Sequence, residues 1–258
     1  MKRLLIALAL VIFLGTAPAS AQVTANVGPE FAPQGSDVLI CVTNDTPSTY
    51  FIGSLGPIRV LDATGNEIYF FQAFTLVATP VPAGQAIVYH RWNQTDNFGN
   101  PVAPGAYFVE VTVNGVASTH LVAVGGDAPG IATVGVLRPG RTRQLYIASP
   151  LDPGAIYGYA AAFTGNTGIL TCGGVIPLDV DALLTFSTTP GNGVFLNPVG
   201  ALAGPADAFP GTTTLPAIAV PNDPMLSGFS FIVAAFTLDL GQPCPVSRIS
   251  GPTTLTVL

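Results

Sequence analysis

Tyr107-Phe108-Val109-Glu110-Val111-Thr112-Val113-Asn114-Gly115-Val116 is the stretch on which the fold turns. Tyr107, Val109, Val111 and Val113 take one face and Phe108, Glu110 and Thr112 the other, which is the period of two of a half-buried strand. Asn114-Gly115 suits the positive φ angles of a two-residue hairpin, so residues 116–124 are expected to return alongside. Upstream, Trp92-Asn93-Gln94-Thr95-Asp96-Asn97-Phe98-Gly99-Asn100-Pro101-Val102-Ala103-Pro104-Gly105-Ala106-Tyr107 places polar residues and glycine over 96–99, where the chain must reverse. Pro104-Gly105 fits the central positions of a type II turn, so Gly99 and Gly105 are both expected at positive φ. Tyr107 then buries its ring and bonds a nearby carbonyl with its hydroxyl.

Further out, residues 38–43 form a continuous β-rich run, 58–62 alternate, and Thr64-Gly65-Asn66 turns the chain into 67–71. About seven strands in a hundred residues suggest an immunoglobulin-like sandwich, with Tyr107 as its tyrosine corner. The chain has 29 glycines and 24 prolines among 258 residues, which excludes long helices; none longer than two turns is expected. Its 49% hydrophobic and 9% charged content excludes disorder. No lysine follows residue 3, which removes Schiff-base chemistry and the P-loop, and eight basic residues against 14 acidic ones argue against nucleic-acid binding.

Met1-Lys2-Arg3, an apolar run over 4–14 and Ala19-Ser20-Ala21 read as a cleaved signal peptide covering residues 1–21. The protein is therefore expected to be secreted, extracellular or periplasmic and bacterial, with no transmembrane segment once the leader is removed. Gly125-Gly126-Asp127-Ala128-Pro129-Gly130 reads as a linker. It divides residues 22–126 from a second all-β domain over 127–258, giving two β-sandwich-type domains in tandem. In the second half strands are expected at 143–148, 156–163, 182–186, 215–220, 229–238 and 253–258.

Residues 38–113 resemble the bacterial BsuPI domain, named for an intracellular proteinase inhibitor. The resemblance rests on Val42-Thr43-Asn44 with its Asp45-Thr46 turn, residues 58–67 with Asp62 and Gly65, Pro82-Ala83-Gly84-Gln85, and the segment 92–107. More distantly the stretch is similar to the Ig-like domain of flagellar hook-capping proteins. The resemblance implies an Ig-like β fold and inhibition of a proteinase, which here would lie outside the cytoplasm. Its matching residues are turns and core strands, so it speaks to fold more than to function. Leu215-Pro216-Ala217-Ile218-Ala219-Val220-Pro221-Asn222-Asp223-Pro224, with Pro139-Gly140 and Asp152-Pro153-Gly154, is similar to an all-β domain at the C-termini of exported bacterial proteins, a likeness that carries no activity.

Few residues offer chemistry. His90 and His120 both fall in expected strands, and His90 shares parity with Trp92, which makes it a strand histidine. Gly53-Ser54-Leu55-Gly56 lacks the glycine two places before the serine that a nucleophile elbow requires. Asp179 and Asp181 would face one side if extended, but Pro177-Leu178 marks a solvated loop. Asp96-Asn97-Phe98-Gly99-Asn100 offers oxygen ligands suited to calcium, yet lacks the acids of an EF-hand and reads better as a turn. Tyr69-Phe70-Phe71-Gln72-Ala73-Phe74 is the densest aromatic cluster, read as core with some rings exposed.

Cys172 and Cys244 share the second half and sit beside Gly and Pro, so an exported protein is expected to join them. Cys41 reads as a small buried apolar residue. No catalytic, cofactor-binding or metal residue is assigned. The expected function is a secreted non-enzymatic binding protein with a proteinase-inhibitor-like Ig domain, the alternative a structural or adhesive cell-surface component. The partner is accordingly a protein such as a secreted proteinase, or a cell-surface polymer.

Overall fold

The computed structural model describes residues 22–52, 56–72, 78–202 and 215–258. The expected leader and Ser54 lie outside the described residues. The described chain is mostly β. Its N-terminal half runs as β1 (Val23–Gly28), β2 (Phe31–Ala32), β3 (Val38–Asn44), β4 (Tyr50–Ile52), β5 (Ile58–Asp62), β6 (Glu67–Phe71), β7 (Thr79–Val81), β8 (Ala86–Trp92), β9 (Gly105–Val113) and β10 (Val116–Val124). A three-stranded sheet, β1-β3-β8, and a five-stranded sheet, β2-β10-β9-β5-β6, turn one face each onto a common core. Val38, Ile40, Val42 and Trp92 enter that core from the first sheet, and Val60, Tyr107, Val109, Val111 and Val122 from the second.

The alternation along β9 is realised: Tyr107, Val109, Val111 and Val113 are buried while Phe108, Glu110 and Thr112 are not. Asn114 and Gly115, at φ 51° and 74°, close the hairpin with β10. Every residue of β3 is buried. Its even-numbered apolar residues meet the core, and its other face, Leu39 and Cys41 with Val88 of β8, packs on Val134, Tyr146 and Ala148 of the C-terminal half. A strand covered on both faces has no reason to alternate, which accounts for the continuous apolar run.

The C-terminal half runs as β11 (Gly130–Thr133), β12 (Thr142–Ala148), β13 (Ile156–Ala162), β14 (Ile169–Thr171), β15 (Gly174–Ile176), α1 (Ala182–Thr188), β16 (Phe195–Leu196), β17 (Val199–Ala201), β18 (Ala217–Ala219), β19 (Ser230–Leu238), β20 (Val246–Ile249) and β21 (Thr253–Thr256). Sheets β11-β12-β18-β16 and β17-β13-β19-β20, with β21 also on β19, share a core that includes Ile131, Leu145, Ile147, Tyr157, Tyr159, Phe231 and Val233. On the far side of β13 and β19, Ala160, Ala162 and Ala234 form a shallow face that receives Leu178 and Leu184. Small residues there let α1 approach closely. Its buried Ser187 accepts from Ala161 N–H at 3.0 Å and donates to Ala161 O at 3.1 Å, satisfying strand backbone that β17 does not reach.

Two expectations need correction. Residues 182–186 are helical, because the Asp181 carboxylate accepts from Leu184 N–H at 2.8 Å and caps α1; a short apolar run is ambiguous until its cap is read. Gly105 is not at positive φ: it opens β9 opposite Val124, so extended pairing overrides the Pro-Gly turn signal, whereas Gly99 stands at φ 83°. The 125–130 segment is anchored at both ends. Gly125 N–H donates to Ala32 O at 2.9 Å, and Gly130 is buried so closely that a Cβ there would lie 2.8 Å from Phe31 O.

Candidate functional site

The 92–107 segment is a latch. Trp92, fully buried, stands edge-on to Tyr107 with centroids 5.5 Å apart, and its Nε1–H donates to Thr95 O at 2.8 Å. The Tyr107 hydroxyl donates to Ala103 O at 2.5 Å, four residues upstream. Gln94, at φ 60° and buried, accepts from Gly35 N–H at 2.8 Å through Oε1 and donates to Pro33 O at 2.7 Å through Nε2, which ties the 33–36 loop to this segment.

The Asp96 turn is consumed by its own backbone. Asp96 Oδ1 accepts from Phe98 N–H at 2.8 Å and Asn100 N–H at 2.9 Å, and the Asn100 side-chain amide, donating to Oδ2 at 3.1 Å, together with these backbone bonds holds its carboxyl below the usual range. Asp62-Ala63-Thr64-Gly65-Asn66 repeats the device: Asp62 Oδ1 accepts from Thr64 N–H at 2.8 Å and Asn66 N–H at 2.9 Å, and Gly65 stands at φ 88°. Hydrogen bonds from Thr64 and Asn66 pull the Asp62 carboxyl down to about 2. Both loops spell Asp-x-x-Gly-Asn, a signal present in the sequence that sequence reasoning passed over. The first also protects an edge. Asn97 Oδ1 accepts from Phe70 N–H at 2.8 Å and Asn97 N–H donates to Ile68 O at 3.1 Å, so the turn occupies the outer edge of β6. Among the described residues no group of three or more His, Cys, Asp or Glu is placed to hold a metal ion.

His90 lies between aromatic rings, stacked on Phe71 at 3.9 Å, with its Nε2 2.9 Å from the Tyr69 hydroxyl. Burial pushes its pKa down to about 4. His120 is on β10, its Nε2 3.0 Å from Ser118 Oγ, and burial lowers its pKa as well. The two histidines belong to different sheets. Asp179 and Asp181 do not form a pair of acids. Asp179 ties down the 164–168 loop through Thr164 Oγ1 at 2.5 Å and Thr167 N–H at 2.7 Å, which drive its carboxyl well below the usual range, while Asp181 caps α1 and accepts from Phe163 N–H at 2.7 Å. Cys172 and Cys244 are joined in the structure, with Cα atoms 5.5 Å apart, which pins the β14–β15 hairpin to the approach to β20. Cys41 is buried at the junction of the halves, and burial pushes its thiol up to about 12. Of the aromatic cluster, Tyr69 and Phe71 pack against the core and Phe70 faces outward; residues 73 and 74 lie outside the described residues.

What remains free is a surface. On the outward face of the five-stranded sheet Leu121 of β10 lies opposite Phe108 of β9, which lies opposite Leu61 of β5, and Phe31 of β2 extends the row beside Ala123. Phe31, Leu121 and Phe108 are 54%, 58% and 36% exposed. Phe31 and Leu121 also line a depression of about 400 Å³ with Glu30 and Thr119. Beside this row runs an ionic one, Arg59 with Glu67 at 2.7 Å and Glu110 at 3.4 Å. An apolar row bordered by charges is the anatomy of a protein-binding face.

No family model matches the chain, and no curated protein does. Among solved structures, it is similar over 91% of its length to the BSP domain of a biofilm-associated protein, at 12% identity and a TM-score of 0.38. It is similar over 92% of its length to a red sea bream transglutaminase, at 11% identity and a TM-score of 0.31. The chain spans 30% and 31% of those two chains. Among the described residues no helix is long and apolar enough to cross a membrane.

Proposed function

We propose that the protein is an exported, non-enzymatic binding protein. On this reading, residues 22–126 are an Ig-like module of BsuPI type, followed by a second β domain over 127–258, and the module engages a secreted proteinase. The observation that carries this reading is the apolar row Phe31–Leu121–Phe108 on an otherwise finished sheet. The neighbouring β6 edge is already occupied by Asn97, so a partner at this face would be held by side chains rather than by strand addition. The non-enzymatic reading is supported by how the acids and histidines are used: Asp62, Asp96, Asp179 and Asp181 each satisfy backbone N–H groups, and His90 is held among rings. The Cys172–Cys244 bond suits an oxidising compartment and therefore export.

A structural or adhesive role at the cell surface is the second reading, favoured by the buried junction, which suits a stiff spacer. Incubation of the protein with secreted serine, cysteine and metallo-proteinases separates the two. Sub-micromolar inhibition of one of them, lost in the Phe108→Ser/Leu121→Ser double variant, is the expected result. Absence of inhibition across the panel, with retention on cell-surface polymer, would replace the first reading with the second.

A further inference from the structure

Arg138-Pro139-Gly140-Arg141, in the connection from β11 to β12, forms a tight reversal: Arg141 N–H donates to Arg138 O at 3.1 Å, and Gly140 stands at φ 72°. Proline in the second position and a positive-φ glycine in the third are the marks of a type II turn, whose first and last Cα atoms lie within about 7 Å. The turn therefore sets Arg138 and Arg141 side by side. Two residues on, Arg143 points inward, 3% exposed, donating to Val136 O at 2.9 Å and to Gly84 O at 3.0 Å.

Two of these three arginines share one acid from the other half of the molecule. Arg138 Nε bonds Asp45 Oδ2, and Arg143 Nη2 stands 3.6 Å from Asp45 Oδ1. Elsewhere among the described residues each arginine has acids of its own: Arg59 has Glu67 and Glu110, Arg91 has Asp37 and Arg248 has Asp127 and Asp152. Arg141 forms no ion pair among the described residues. Its guanidinium lies over Gly84 so closely that a Cβ at Gly84 would overlap it. The crowding is felt by Arg143, whose pKa is lowered first by burial and then by Arg141 and Arg138, against the opposing pull of Asp45. In a chain of net charge −6, an uncompensated cluster of cations in one place calls for an anion.

Arg138 and Arg141 line an open depression of about 260 Å³, together with Asp45, Pro139, Pro224 and Ser227. We propose that this depression binds a small oxyanion, a carboxylate or a phosphate, held by the Arg141 guanidinium and the free side of Arg138, with the Ser227 hydroxyl as a further donor. Guanidinium forks match the paired oxygens of both groups, and either would offset the surplus charge that Asp45 leaves. Because Arg141 rests on Gly84, an occupied site would also brace the two halves against each other.

The test titrates the whole protein with sodium phosphate and, separately, sodium citrate, against sodium chloride at matched ionic strength, reading the thermal midpoint and the heat of binding. The expected result is a saturable rise in the midpoint with one of the two oxyanions beyond that given by chloride, and the responding arm tells phosphate from carboxylate. Affinity should fall at least tenfold in Arg141→Gln, an exposed position whose replacement leaves the fold intact, and severalfold in Ser227→Ala. Arg91→Gln, which removes a cation elsewhere, should bind as the parent does. An equal response to chloride, or undiminished binding by Arg141→Gln, would overturn the proposal.

Discussion

The two halves of the molecule reach a β architecture by different routes. In the N-terminal half two pairs of neighbouring strands close through local turns, β5 to β6 by the Asp62 loop and β9 to β10 by Asn114-Gly115, and along β9 outward and inward residues alternate. In the C-terminal half the central pair, β13 with β19, joins segments far apart in the chain, and both strands are covered on two faces. Closing long loops costs more chain entropy before any contact is made. The C-terminal half is the one that carries the covalent link, while the thiol of the other half, Cys41, is free and buried.

The largest expected effect tests that contrast. The Cys172→Ser/Cys244→Ser variant should lose about 4 kcal/mol of stability, the loop-entropy value for a bridge spanning 72 residues. Trp92 is the one tryptophan of the chain and lies in the N-terminal core, so its fluorescence reports that half alone. Urea unfolding followed by circular dichroism should shift further than the Trp92 signal, and an identical shift of both would mean that the halves unfold as one unit.

Next comes the face of β3 that looks away from its own core. Leu39→Ala should cost about 2 to 5 kcal/mol, as for any buried leucine, because Val134 and Tyr146 cover it. Phe108→Ala on β9 should cost less than about 1 kcal/mol, since its face is open. Equal denaturant midpoints for the two variants would show that the junction is not packed in solution.

Two glycines of one segment give the third test. Gly99→Val should destabilise by about 1 to 3 kcal/mol, because a β-branched residue resists positive φ. Gly105→Val, in extended backbone with only a 4.0 Å contact to the Tyr107 ring, should stay within about 0.5 kcal/mol of the parent. A loss at Gly105 as large as at Gly99 would restore the Pro-Gly turn there. In the C-terminal half, Asp181→Ala should cost about 1 kcal/mol through loss of the α1 cap, seen as a lower thermal midpoint.

The smallest effect is one of pH. Burial takes His90 from its ordinary 6.5 to about 4, so between those values the unfolded chain binds the proton and the folded one does not. The stability contributed by neutral His90 is complete above about pH 6.5 and is lost as pH falls toward about 4. His90→Phe should flatten the fall of the urea midpoint across that window, and an unchanged slope would show that other groups set it.

The strands legible in the sequence are those whose surroundings differ on two sides. Residues 107–113 announce themselves because one face meets the core and the other does not. Residues 182–186 mislead because a short, mostly apolar run fits strand and helix alike, and the deciding bond, Asp181 to Leu184, is a cap rather than a period. The candidate surface was less legible. Phe31, Phe108 and Leu121 are scattered in the chain, and register alone sets them in a row.

By itself, the sequence determined the β class, through glycine and proline density, and the position of the β9–β10 hairpin, through Asn114-Gly115 and a period of two. These are local consequences of backbone sterics and side-chain parity. Tertiary structure alone decided that β3 is buried on both faces and that Arg138 and Arg143 meet on one acid from the other half. Each depends on which segments meet in space, and neither spacing nor composition records that, because the contacts join residues far apart in the chain.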